Sequence, residues 1–532
     1  MIFDFRLGAA SVVNRQSPPT HRAFPIENQK SKIENPMRSI SDLAKHSSIY
    51  GLGQIINRFA SVLILPLYTH YLSPADYGVI AILDLTTMIL AMMIGAGMSQ
   101  AVTRYHFEAK SEEDRRVVWW TGTLYVAAMA SLVVAPMWLC REGLARLTLG
   151  QNVPQGATFY AFALGTLWCN TIDELLDVYV RVKKWSGLYL VVSTGRLFLN
   201  MGLNVWFLVG MGLGVKGQLI GNLISSVVYG LVLLAIFRRA NGRVTIDSGL
   251  VRKLLIFGSP IIVQALLSIL MHEADRFFLL AYVEMGDVGV YSLAYKIGQA
   301  VNALCLIPFA SIWGVVLYEI AKQPDSKKQY AAVFSQFLNA ILILMLGASL
   351  CARPLLPYLT TDAFDGAVEL LPIILLAFVF FSLHGQFNVP ALLAKKTVTL
   401  VPPALAGVIV NLTLNAILVP KFGVVGAAWV SVLTYATYSF VGLAMYRRID
   451  VIPYPFVRSA LTTLGIGATY FVVHYALVPS LSKWAQIGVA VGVCAVWAVV
   501  LFGRQVSRFL CDSIVPETTP ASDETPVIAT AE

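Results

Sequence analysis

The chain of 532 residues is 57% hydrophobic and only 13% charged, with a formal net charge of +9 and a mean hydropathy of +0.70. A soluble protein carries about 25% charged residues and needs them to cover its surface, so a soluble enzyme, a disordered chain and a collagen-like fibre are excluded. Apolar residues run continuously instead of alternating, which argues against a transmembrane barrel, and Lys and Arg lie in short clusters, unlike the basic stripe of a nucleic-acid binder.

Residues 1–36 are polar and lack the apolar core of a secretory signal. Met37, followed by Arg38 and Lys45, is the expected natural start, with 1–36 a disordered or spurious extension. From there the apolar runs predict fourteen spans at 48–72, 79–105, 118–139, 157–180, 188–210, 218–237, 257–283, 288–317, 330–351, 367–389, 397–419, 427–446, 457–477 and 484–502. The loop around 238–255 is expected to hold a short amphipathic lead-in helix, and the Thr-, Pro- and acid-rich tail 512–532 to be disordered. With the N-terminus in the cytoplasm, the inner connections carry 24 Lys and Arg and the outer ones 6. This bias places both termini on the cytoplasmic side.

The chain also repeats itself. Tyr71 to Val79 parallels Tyr282 to Val290 at an offset of 211 residues, Gly78 against Gly289, and Asn200 and Asn204 recur at the same offset as Asn411 and Asn415. After a two-residue loop difference, Gly214 matches Gly423 and Arg238–Arg239 matches Arg447–Arg448. A repeat of six spans enters the membrane twice from the same side. The fold class is therefore an all-α polytopic membrane protein: two six-helix lobes, 37–239 and 240–448, related by a pseudo-two-fold along the membrane normal, plus two extra helices in 449–511.

An ionisable residue inside a span costs about 2.5–3.5 kcal/mol on insertion scales, so it must face protein or a wet cavity. Polar residues recur at helical spacing in span 1 (Asn57, Arg58, Ser61), span 5 (Ser193, Arg196, Asn200), span 7 (Gln264, Ser268, His272, Asp275, Arg276) and span 8 (Ser292, Lys296, Gln299). The expected result is a central cavity lined by Arg58, Arg196, Arg276, Lys296, Asn57 and Gln264, tempered by Asp84, Glu273 and Asp275. Guanidinium groups suit phosphate because they offer bidentate donors and stay charged. Asp84, Asp275, His272 and Glu273 are the candidates for coupling to an ion; structural ties between helices are the competing reading. Glu174 and Asp177, with Arg181 one turn on, read as interfacial ion pairs. No P-loop, HExxH or GxSxG motif and no metal-spaced His/Cys cluster occurs, so no cofactor, metal or catalytic residue is expected. The six cysteines form no CxxC pair and read as small buried hydrophobes.

The stretches SIYGLG at 48–53 and LPLYTHYLSPADYGV at 65–79, Asp275-Arg276-Phe277, GVYSLAYKI at 289–297 and GVVGAAW at 423–429 resemble the polysaccharide-biosynthesis membrane proteins, which include the O-antigen and oligosaccharide-lipid flippases. The resemblance spans about 37–448 and continues more weakly through the last two spans. It implies the multidrug/oligosaccharidyl-lipid/polysaccharide exporter fold and a transporter, not an enzyme, in a bacterial cytoplasmic (inner) membrane. It further implies translocation of an isoprenoid-diphosphate-linked oligosaccharide to the outer leaflet, with membrane lipids and a glycan polymerase with chain-length machinery as partners. Roles in binding the substrate pass by resemblance to Arg58, Arg276 and Lys296, and spans 13 and 14 are placed to line a groove for the lipid tail. Two other readings stay open: a cation-coupled multidrug exporter of the same fold, whose cavity should be acidic or apolar, and a membrane-embedded glycan polymerase, which would need a larger outer loop.

Overall fold

The computed structural model describes residues 64–514, apart from 96, 151, 152, 154 and 478–480. Most of the first predicted span, with Asn57 and Arg58, and the two terminal segments 1–36 and 515–532 lie outside the described residues. No strand occurs among the described residues. The helices are α1 (Leu65–Tyr71), α2 (Pro74–Gly95), α3 (Met98–Glu108), α4 (Glu112–Leu139), α5 (Arg141–Thr148), α6 (Gly156–Val182), α7 (Ser186–Val205), α8 (Gly214–Asn241), α9 (Ser248–Glu273), α10 (Asp275–Tyr282), α11 (Met285–Ile320), α12 (Ser326–Leu359), α13 (Gly366–Phe387), α14 (Val389–Leu393), α15 (Val401–Tyr446), α16 (Phe456–Val472) and α17 (Lys483–Ile514).

Local chemistry sets the ends. Ser111 starts α4 with a capping box: its Oγ accepts from Asp114 N at 3.0 Å and the Asp114 carboxylate accepts from Ser111 N at 3.3 Å. Asp247 caps α9 by accepting from Gly249 N at 2.8 Å and Leu250 N at 3.3 Å. The expected lead-in segment is the first part of α9. Because the cap falls at Asp247, α9 runs on from Ser248, and its two parts, 248–259 and 261–273, meet at a bend of 41° around Pro260. The predicted spans 11 and 12 lie within one assigned helix, α15, in which Gly423 adopts φ 54°, ψ −134°. Only glycine tolerates that backbone, and the chain kinks there.

Among the described residues nine helices are long and apolar enough to cross a membrane, and the bent α9 makes ten. Helices α6 and α7 are not among them because Asn170, Asp173, Asp177, Arg196 and Asn200 dilute their hydropathy. In a membrane such residues have to face protein or water.

Helices α2, α4, α6, α7 and α8 pack in one group, α6 against α8 and α4, and α7 against α8. Helices α9, α11, α12, α13 and α15 pack in a second, with α13 against α15, α11 and α12. The two groups meet where α2 lies along α11 and where α9 crosses α3 and α4. Helices α16 and α17 pack against α12.

The internal repeat extends to side-chain bonds. Asn204 Nδ2 donates to Asn200 Oδ1 at 2.9 Å, and Asn415 Nδ2 donates to Asn411 Oδ1 at 3.0 Å. Asn200 Nδ2 reaches Ser225 Oγ at 2.9 Å, and Asn411 Nδ2 reaches Thr434 Oγ1 at 3.3 Å. Ser225 and Thr434 are partners in the register that matches Gly214 with Gly423, so both groups are built on one hydrogen-bond plan.

Candidate functional site

The groups touch most closely near the starts of α2 and α11, at repeat-equivalent glycines. A Cβ on Gly289 would lie 1.9 Å from Pro74 O, and one on Gly78 would lie 2.2 Å from Met285 O. Only glycine permits that approach. At the far end of α2, Gly97 (φ 65°) sits against α9, where a Cβ would lie 2.6 Å from Gly258 O. Nearby, Arg104 Cζ stands 4.5 Å from the Phe257 ring centroid and Asp247 N donates to Thr121 Oγ1 at 3.1 Å.

Between these contacts lies a cavity of about 190 Å³ lined by Tyr68, Tyr77, Asp84, Gln218, Glu273, Arg276, Ser292, Tyr295, Lys296 and Gln299. Asp84 and Lys296 sit one to two turns past Gly78 and Gly289, so the glycine contact brings them to the same space. Arg276 is buried and firmly held. Its guanidinium is bonded to the Glu273 carboxylate, Nε donates to Ser292 Oγ at 3.3 Å, and Cζ stands 4.9 Å from the Tyr295 ring centroid. Lys296 Nζ is 5.7 Å from the Tyr77 ring centroid, and its side chain is exposed to the cavity without a salt-bridge partner among the described residues. The described lining thus holds two cations and two carboxylates, and Lys296 is the cation left facing the space.

The other predicted residues fall elsewhere. Asp275 is buried behind the cavity, correcting the expectation that it faces it: Tyr291 OH donates to its carboxylate, which also accepts from Arg276 N at 2.9 Å. His272 Nδ1 bonds the Ser268 carbonyl at 2.9 Å, and the ring packs against Phe381 and Tyr435. Gln264 is exposed and lines neither this cavity nor the next. A single turn residue, Ala274, separates α9 from α10, and its backbone stays in the right-handed helical region (φ −66°, ψ −25°).

Arg196 lines a second, larger chamber of about 470 Å³ within the first group, and Asp84 lines both spaces. Its Nη2 donates to Asn170 Oδ1 at 2.6 Å and to Ser226 Oγ at 3.1 Å, and its Cζ stands 4.6 Å from the Tyr229 ring centroid. Asp177 belongs to this chamber too. Its predicted ion pair with Arg181 is corrected: Oδ1 accepts from Tyr229 OH on α8 at 2.5 Å, and no salt bridge to Arg181 occurs among the described residues. Glu174 accepts from Ser99 Oγ at 3.3 Å. Sequence reasoning missed Asn170, Asn222 and Tyr229; the asparagines inside apolar runs were the available signal.

A third space runs beside α16. A largely apolar groove of about 340 Å³, between α12, α13 and α16, includes Leu346, Ile373, Ile466 and Phe471. It shares Glu369, Ile373, Tyr470 and Tyr475 with a polar mouth of about 730 Å³ that carries Arg353, His474 and Lys483.

Comparison with known proteins bears on these spaces. Residues 43–313 match the family model described as polysaccharide biosynthesis protein. A Haemophilus influenzae protein of the Lsg locus is 22% identical over 293 residues, covering 52% of this chain and 67% of its own. Among solved structures, the lipid II flippase MurJ in an inward closed conformation superposes with a TM-score of 0.70 at 13% identity, over 87% of this chain and 100% of that one. An inward-facing multidrug resistance transporter of the MATE family of the MOP superfamily gives 0.60 at 14% identity, over 74% and 94%. At these identities the likeness is one of fold.

Proposed function

The chain, a multi-span membrane protein, belongs to the polysaccharide biosynthesis protein family, and we propose that it is a flippase. Its cargo is an isoprenoid-diphosphate-linked oligosaccharide, carried from the cytoplasmic to the outer leaflet of a bacterial inner membrane, with both termini in the cytoplasm. The observation that supports this reading best is the polar cavity between two helix groups, which touch beside it at Gly78–Gly289 and farther along α2 at Gly97–Gly258.

A cavity flanked by two separable contacts suits alternating access. The groups act as lobes, 37–239 and 240–448, and each contact opens in turn while the other holds. Within the cavity Lys296 and Arg276 meet the diphosphate. An unpaired charge at this depth is costly; Asp84 in the same lining offsets Lys296 in part, and the phosphate supplies a direct counter-charge. Arg276 is fixed by Glu273, Ser292 and Tyr295, so little side-chain freedom is lost when it binds. Arg58 is assigned to the same phosphate site by resemblance. Asp84, exposed to the cavity, and Glu273 are the carboxylates available for ion coupling. The lipid tail stays in the bilayer and follows the apolar groove along α16.

The test is lipid-linked glycan analysis in a strain lacking the chain. The proposal expects the diphosphate-linked glycan to accumulate on the cytoplasmic leaflet and the surface glycan to fall. Unchanged surface glycan, with no lipid-linked intermediate accumulating, would overturn it.

A further inference from the structure

We propose that the second chamber, beside Arg196, is a binding subsite for uncharged sugar. It takes the first pyranose residues of the glycan while the neighbouring cavity holds the diphosphate. The inference rests on the flippase reading and assigns a role to residues outside the phosphate site.

The lining has the chemistry for hydroxyl recognition. Asn170 uses its amide oxygen to accept from Arg196 and from Ser226 Oγ at 2.9 Å, and Asn222 uses its own to accept from Asn200 Nδ2 at 2.9 Å. Both keep amide NH₂ donors uncommitted among the described residues, and Asp177 keeps its second carboxylate oxygen as an acceptor. Donors and acceptors held side by side fit adjacent sugar hydroxyls. The guanidinium of Arg196 is fixed between Asn170, Ser226 and the Tyr229 ring, and faces two carboxylates, Asp84 and Asp177, in the same lining. That balance disfavours an acidic sugar. The volume, about 470 Å³, falls within the range of about 300–1,000 Å³ of small-molecule sites.

The internal repeat supplies an independent argument. In register, Gly407 stands in the second group where Arg196 stands in the first, and Tyr435 where Ser226 stands. The Tyr435 ring is packed against Phe378, Phe381 and His272, its hydroxyl bonds Tyr295 OH at 2.5 Å, and Asn411, Asn415 and Thr434 are buried. The shared hydrogen-bond plan is therefore filled with aromatic rings in one group and left hollow in the other. The hollow is not a by-product of the fold. Asp84 lines both spaces, so the phosphate cavity and this chamber adjoin.

The full-length protein in nanodiscs would be titrated with polyprenyl diphosphate and with the same lipid carrying N-acetylglucosamine, galactose or N-acetylgalactosamine. We expect at least one sugar-bearing lipid to bind about tenfold more tightly than the bare diphosphate, the yield of about two hydrogen bonds. Ser226→Tyr, which imports the side chain of the filled group, and the milder Asn222→Leu should each erase that increment. Affinity for the bare lipid should stay unchanged in both, which also shows that the variants are folded. Equal binding of all four lipids by the wild type, or an increment that survives Asn222→Leu, would overturn the subsite and leave the flippase reading intact. Failure of every lipid to bind would overturn both.

Discussion

Replacing Gly289 with alanine should force the two helix groups apart at one end of the cavity. The new methyl would lie 1.9 Å from Pro74 O and 2.9 Å from Gly78 N. Both are backbone atoms that cannot swing aside, and ordinary contact begins at 3.4 Å. Helices α2 and α11 would have to separate by roughly 1.5 Å, an overpacking of the kind that costs about 1–3 kcal/mol. A shift of about 1–3 kcal/mol between two conformations changes their ratio by roughly 5–150-fold, toward the state open at this end, the outer one in the proposed orientation. Met88 lines the cavity and offers a reporter. In a cysteine-free background carrying Met88→Cys, an impermeant maleimide added from outside should label Gly289→Ala at least about fivefold faster than the parent. Gly286→Ala is the control, since its Cβ would meet only Pro74 Cβ at an ordinary 3.8 Å. Equal labelling of the parent and both variants, at matched protein levels, would refute the assignment of this contact as a gate.

Gly97→Ala should act in the opposite sense. It adds a left-handed backbone penalty of about 1–2 kcal/mol to a clash with Gly258 O, so outside labelling of the same reporter should fall and labelling from the inner face should rise. Asn411→Ala should lower thermal stability in detergent more than Asn200→Ala. Asn411 is fully buried, whereas Asn200 lines a chamber where water can replace the lost bonds; equal losses would contradict that. Asp275→Ala should lower thermal stability by about 1–3 kcal/mol, because it leaves the Arg276 backbone N–H and the Tyr291 hydroxyl without their buried acceptor. Asp275→Asn, which keeps an acceptor, should be milder, as read by detergent melting.

Long apolar runs and the repeat were legible in the sequence because both are properties of one helix at a time. The offset of 211 residues placed Asn200 opposite Asn411, and the two positions make matching bonds. Spacing along a helix also marked Asp84 and Lys296 as residues that need a polar environment. What spacing could not give is which neighbour a side chain meets. Asp177 read as a partner of Arg181 one turn away, yet it bonds Tyr229 on another helix. His272 and Gln264 shared a stripe with Arg276, yet His272 packs against Phe381 and Tyr435 and Gln264 lines neither cavity. The Glu273–Arg276 pair, by contrast, lies at the i,i+3 spacing of a helix and was open to sequence reading. The chamber beside Arg196 escaped notice because its asparagines come from three helices.

Reconstituted flipping tests the central claim most directly. Proteoliposomes would carry a fluorescent polyprenyl-diphosphate sugar, with an impermeant quencher reporting the fraction exposed over time. The wild type should exchange the lipid between leaflets, and Lys296→Gln should slow that exchange about tenfold or more at equal protein content, since a cation facing the diphosphate is removed. Exchange at the wild-type rate in Lys296→Gln would show that the phosphate does not pass through this cavity.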